Sequence, residues 1–185
     1  MNNEIAVFFC RAGLNPAAPL WRRALTRLAC WWEGTDRIHV ALGSHWDYAV
    51  LDLRPDGDRV WDWRDFVLNN QDASIQVVSG YVPFRPARCQ WEKTPNWPVD
   101  LFRIVVHRLT EGRYYRDSPD CVHQACCLLR MHGVMVPRDI VTAKQLEGWL
   151  RGYRIFAGKD TPTDKAPRRD DARAHAAAGR AAAVA

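Results

Sequence analysis

Apolar residues follow two rhythms along this chain. Glu4-Ile-Ala-Val-Phe-Phe-Cys10 is a continuous apolar run of strand length, the pattern of a buried strand. Gly13, Pro16 and Pro19 break it, and from about 17 to 32 the spacing becomes helical. Trp21, Leu25, Leu28 and Trp32 fall on one side and Arg22, Arg23 and Arg27 on the other, which predicts an amphipathic helix stopped by Gly34. Residues 37–42 and 48–53 have the composition of two strands joined through Gly43-Ser44-His45, the second closing at Pro55-Asp56-Gly57-Asp58. Trp61-Asp62-Trp63 alternates, 65–68 suits one helical turn, and 75–78 with 81–84 supply further strand material. The Pro- and Arg-rich stretch 83–98 is a crossing loop, followed by helices over 98–109, with Gly112 as its stop, and from Cys121 to about His132-Gly133. Residues 134–137 are predicted extended and 142–150 a last short helix. After Phe156 the chain turns to Ala, Arg, Asp and Pro, and Val184 is its sole large apolar residue. Such a segment cannot bury enough surface to offset its ordering entropy, so 1–156 is predicted as one domain and 157–185 as a disordered tail. The elements add up to an α+β fold, a small antiparallel sheet packed against helices.

Composition supports this. Of 185 residues, 48% are hydrophobic and nine are Trp, ample for a packed core. No run approaches the roughly 20 apolar residues that span a bilayer, and Met-Asn-Asn-Glu carries no basic n-region. No transmembrane segment and no signal peptide are therefore expected, with a cytoplasmic or virion-associated location. The net charge of +5, Arg far outnumbering Lys, gives modest attraction to polyanions. Solubility explains that surface as well, so no specific nucleic-acid partner is expected. The six cysteines include the adjacent Cys126 and Cys127, which suit neither a disulfide scaffold nor a zinc-ligand spacing. Reduced thiols, no metal and no cofactor are expected.

One cysteine stands apart. In Asp117-Ser118-Pro119-Asp120-Cys121, Ser118 can cap a helix, Pro119 suits its first turn, and Val122, Ala125, Cys126 and Leu129 continue an apolar face. A thiol at a helix start feels the positive end of the dipole and unpaired N–H groups, which favour thiolate. On a helical projection Cys121 lies at the rim of the apolar stripe, Cys126 inside it and Cys127 away from it. Its backbone N–H is a natural oxyanion donor. His39, in Ile38-His39-Val40-Ala41-Leu42, can supply the base, because such sites are defined in space and not by chain order. The plainer reading is that a free Cys is a small buried hydrophobe and a strand His a structural residue. His45, His107, His123 and His132 rank behind His39: His107 and His132 fall at solvated helix positions, and His123 projects from another helix face.

Taken together, several segments resemble the circularly permuted NlpC/P60 group of papain-like cysteine hydrolases. They are the opening strand 4–9, the His strand Arg37-Ile-His-Val-Ala-Leu42, the approach Leu109-Thr-Glu-Gly-Arg-Tyr-Tyr115, the Asp120-Cys121 helix start, and the closing Val-Pro…Thr-Ala-Lys-Gln-Leu. The resemblance implies a permuted papain-like fold with Cys121 as nucleophile and His39 as base. It also makes Tyr115 a candidate for oxyanion or substrate positioning and Asp52 the nearest match to the third polar residue. Asp52 shares a strand face with Tyr48 and Val50, so an exposed strand-end carboxylate is the alternative, with His45 or Asp47 in its place. The family often carries Ser and then an acidic or small residue after the Cys, where this chain has Val122 and His123. Asp-Cys-x-His, and Leu-Arg-x-x-Gly at 129–133, are similar to lecithin:retinol acyltransferase-like proteins, a lipid-acting branch of the same fold. The implied activity is thiol-dependent cleavage of an amide in a peptide or peptidoglycan peptide, with a lipid ester as the alternative substrate. Two other classes stand beside it: a non-catalytic scaffold or phage assembly protein, and a polyanion-binding module using Arg22, Arg23, Arg27 and the tail arginines.

Overall fold

The computed structural model of the chain describes residues 3–12, 19–54, 57–89, 97–111 and 120–157. The continuous apolar run becomes β1 (Glu4–Cys10), flanked by partners on both edges in an antiparallel sheet of order β4-β3-β2-β1-β5. The other strands are β2 (His39–Ser44), β3 (Ala49–Asp52), β4 (Arg59–Asp62) and β5 (Ser74–Ser79). The α-helices among the described residues are α1 (Leu20–Glu33), α2 (Trp63–Asn69), α3 (Trp97–Leu109), α4 (Cys121–Met131) and α5 (Ala143–Ala157). The architecture is thus α+β. The chain divides into two units, Met1–Arg154 and Ile155–Ala185, and the sheet lies in the first. The predicted boundary at 156 falls inside α5, and the predicted tail beyond Ala157 lies outside the described residues.

Both faces of the sheet are covered, which is why β1 is apolar at every position after Glu4. On one face Ile5, Val7, Phe9, Val40, Leu42 and Leu51 pack with Val122, Ala125 and Leu129 of α4 and Leu146 and Leu150 of α5. On the other, Ala6, Phe8, Cys10, Ala41 and Val50 meet Phe66 of α2. Each fully buried large aliphatic contributes roughly 1.5–3 kcal/mol. Gly43 belongs to the second face, where a Cβ would come within 2.6 Å of the Trp63 ring and 2.8 Å of Phe8, so no larger residue fits without moving them.

Local chemistry sets the helix ends. Gly34, at φ +61°, closes α1 in the left-handed region as predicted. The cap of α4 is Asp120 rather than Ser118: its carboxylate accepts the His123 N–H at 2.8 Å, so Cys121 is the first helical residue, while Ser118 and Pro119 lie outside the described residues. At α5, Thr142 Oγ1 accepts from the Gln145 N–H and Gln145 Oε1 accepts from the Thr142 N–H, a reciprocal capping box.

Three expectations are corrected. Residues 81–84 form no strand, because the Tyr81 N–H is committed to the His132 carbonyl and the Gly80 N–H to that of Asn3. His107 is buried, edge-on to His123 at 5.1 Å between ring centroids, and His132 is buried with Nδ1 2.8 Å from the Leu128 carbonyl oxygen. Their helices turn these faces inward, which one-dimensional spacing does not reveal. A fourth feature departs from ordinary packing: α1 is amphipathic, yet Leu28, Trp31 and Trp32 are exposed while Glu33 is buried. Glu33 bonds Arg108 of α3 at 2.7 Å and accepts the Ala143 N–H that opens α5, so a polar junction joins α1, α3 and α5.

Candidate active site

His39 is the first residue of β2, and Asp52 the last of the neighbouring β3. In the β2–β3 register Ala41 faces Asp52, so the His39 ring reaches diagonally across the strand pair. Its Nε2 lies 2.6 Å from Asp52 Oδ1. The Asp52 side chain is only 2% exposed, which disposes of the exposed strand-end alternative. The same carboxylate accepts, at Oδ2, from Arg54 Nε at 2.6 Å and Trp61 Nε1 at 3.2 Å. Burial works to raise its pKa, but the bonds and charges of His39 and Arg54 outweigh that and hold it below the usual carboxylate value. His45 and Asp47 are exposed in the turn that follows β2, and the His45 ring packs near Tyr48 and Trp63.

Cys121 comes from the opposite direction. As the first residue of α4 it packs against the sheet with Val122, and its sulfur lies 3.7 Å from the Ile38 carbonyl oxygen, one residue before His39. Thiol and imidazole therefore meet at the head of β2. Burial disfavours a charged His39, but hydrogen bonding and charge attraction from Asp52 and Cys121 more than offset it and raise its pKa to about 10. With Nε2 engaged by Asp52, Nδ1 is the ring nitrogen left for the sulfur. The Cys121 N–H, in the first turn of α4, has no acceptor within the helix. Tyr115 lies outside the described residues.

All six cysteines are free. Burial pushes Cys126 up to about 12, and burial together with the charges of Asp52 and Cys121 does the same to Cys10, which faces His39 across the β1–β2 ladder. These two remain protonated thiols at neutral pH. Cys127 lies on the other side of α4, 3.4 Å from His123 Nε2. Among the described residues no group of three His, Cys, Asp or Glu is arranged to hold a metal ion, and no helix is long and apolar enough to cross a membrane.

Sequence reasoning missed Arg54 and Trp61. The signal for Arg54 was its place two residues after Asp52, on the same side of an extended chain; Trp61 required the β3–β4 register, which sets it diagonal to Asp52. Beside the imidazole, a cavity of about 300 Å³ is lined by His39, Asp52, Arg54, Trp61 and Asn70. Comparison of the chain with protein families, with curated proteins and with solved structures finds no match.

Proposed function

We propose that this protein is a thiol-dependent hydrolase of the permuted NlpC/P60, papain-like type, cleaving an amide bond in a peptide or cell-wall peptide. One observation carries the reading: an imidazole at the head of β2 is held by a buried carboxylate on one side and meets the helix-starting thiol of Cys121 on the other. Those are the parts a cysteine nucleophile needs, and each comes from a different element.

The cycle follows from the geometry. His39 takes the Cys121 proton, and the resulting imidazolium is stabilised by Asp52. The sulfur attacks the amide carbonyl carbon, forming the C–S bond, and the developing oxyanion takes a hydrogen bond from the Cys121 N–H. As the C–N bond breaks, His39 donates its proton to the departing amine, leaving a thioester on Cys121. Water then gives a proton to His39 as its oxygen bonds the acyl carbon; collapse of that second adduct breaks the C–S bond and releases the acid. Asp52 fixes the ring so that one nitrogen faces the sulfur throughout, with Arg54 and Trp61 holding Asp52 in turn. The cavity beside the ring is at the small end for a ligand site and suits one side chain of a substrate.

The test is mass-spectrometric labelling with an electrophilic amide analogue. Modification at Cys121, lost in Cys121→Ala with Cys10 and Cys126 untouched, is the expected result. Labelling at Cys127 alone, or none at Cys121, overturns the proposal. Faster labelling by the corresponding ester keeps the thiol chemistry and moves the substrate to the lipid-ester class.

A further inference from the structure

The end of the sheet away from His39 carries a cavity of its own. His39 opens β2 and Ser44 closes it, five residue steps or about 17 Å further on. At the Ser44 end a cavity of about 190 Å³ is lined by residues that include Glu4, Ser44, Trp46, Asp47, Phe84 and Arg85. Ser44 and Phe84 are buried, whereas Glu4, Trp46, Asp47 and Arg85 reach water at its rim. The turn that presents Trp46 and Asp47 is fixed in place. The Asp47 N–H is donated to Ser44 Oγ at 3.4 Å, and the His45 ring packs against Tyr48 and Trp63. Tyr48 closes the turn at φ +48°, in the left-handed region that Gly or Asn ordinarily fills.

The charges on that cavity identify its ligand. Unlike charges brought together on a surface usually pair, as Arg11 does with Asp36 and Asp72. Here the Glu4 and Asp47 carboxylates and the Arg85 guanidinium share one small cavity, yet among the described residues none of these three groups enters a hydrogen bond or an ion pair. Opposite charges are thus held apart across a space of about six water volumes. A ligand that fills the gap must carry both signs. It needs an ammonium for the two carboxylates and a carboxylate for the guanidinium, whose planar fork takes carboxylate oxygens in pairs. The exposed indole of Trp46 offers a ring face to the ammonium, and Phe84 an apolar wall to the carbon atoms beside it. An α-amino acid combines these groups on one carbon, and its size suits a cavity below the range of drug-sized sites. We propose that this end of the sheet binds a free α-amino acid by its zwitterionic head. The site shares no residue with the Cys121 and His39 centre and stands independently of the hydrolase reading.

Proton–nitrogen correlation NMR of the full chain tests it, read at the Trp46 indole N–H after assignment through Trp46→Phe. Glycine and L-leucine are expected to shift that resonance saturably, while the Trp61 indole N–H, held by Asp52 at the other end of the sheet, stays in place. Leucinamide lacks the carboxylate and N-acetyl-leucine lacks the ammonium, so each binds at least about fivefold more weakly than L-leucine. Glu4→Gln/Asp47→Asn and Arg85→Gln each weaken L-leucine binding by a similar factor. Thermal unfolding of each variant close to that of the parent shows that the fold is intact. No saturable shift with either glycine or L-leucine overturns the proposal. Leucinamide binding as tightly as L-leucine also overturns it, by making the cavity a site for cations alone. Equal binding of N-acetyl-leucine does so by making it a site for anions, and undiminished binding by both variants removes the assigned residues.

Discussion

Two of the buried carboxylates among the described residues, Asp52 and Glu33, behave in opposite ways. Asp52, at the sheet end, accepts from His39, Arg54 and Trp61, and those partners hold its pKa down in spite of burial. Glu33, at the junction of α1, α3 and α5, is equally enclosed, yet burial wins over Arg108 and the backbone donors, and its pKa rises. Burial alone does not mark a functional charge. What distinguishes the two is the partner: Asp52 is held by an imidazole and a guanidinium together, and that imidazole also interacts with the Cys121 thiol.

The sharpest way to break that contrast is to neutralise each carboxylate in turn. Asp52→Asn is expected to slow acylation of an amide substrate by on the order of 10³–10⁴-fold, since an amide no longer fixes the imidazole or its charge. Glu33→Gln is expected to leave the rate within about twofold, since its bonds go to Arg108 and the Ala143 N–H and not to His39 or Cys121. Equal rates for both variants would remove Asp52 from the mechanism.

The pH profile separates them next. His39 must be protonated to serve the leaving group, so acylation falls as pH rises through about 10. In Asp52→Asn the imidazolium loses its partner, and that alkaline limb moves to lower pH; in Glu33→Gln it stays in place. A limb that does not move in Asp52→Asn contradicts the assignment.

Stability gives a smaller effect, with signs that follow from linkage. Removing Arg108 as Arg108→Ala strands Glu33 and costs about 3 kcal/mol at neutral pH, less in acid where Glu33 takes a proton. Asp52, depressed in the fold, contributes stability above its ordinary 3.8 that is lost as pH falls through its lower folded value. Glu33, raised in the fold, contributes stability below its ordinary 4.5 that is lost as pH climbs through its higher folded value. Thermal melts across pH 3–7 should therefore match the parent in acid and part from it towards neutral pH with opposite signs, Asp52→Asn becoming less stable and Glu33→Gln more stable than the parent. Smallest of all, Asp120→Ala removes the α4 cap and costs about 1 kcal/mol in chemical denaturation; the Asp52 signature stays, while that of Glu33 weakens because the Asp120 charge helps to raise its pKa.

Much of this was readable in one dimension, for reasons that can be named. β1 declared itself because a strand covered on both faces is apolar at successive positions, and α4 because its apolar residues recur at helical spacing just after Asp120-Cys121. His39 and Cys121 could be picked out as a pair, since a strand histidine and a helix-starting thiol are local features. Partners were harder. That Asp52 is enclosed depends on Trp61 arriving from β4 and on Arg54 folding back, which are facts of register. The cap was misplaced because Ser118 and Asp120 are both good caps, and only the chain path chooses between them. Amphipathicity of α1 was legible, but which side faces the core was not. A polar junction at Glu33 with Arg108 sets it, and that pair is remote in sequence.

The order in which the site's parts occur along the chain has a consequence for biosynthesis. His39 and Asp52 share one hairpin and can find each other soon after it is made, whereas the sulfur waits on a helix far downstream. On the proposed mechanism a chain that stops short of α4 carries the imidazole and carboxylate residues without the thiol, and the site is complete only when α4 packs on β2. On that mechanism, the packing of α4 is the last step in assembling the site.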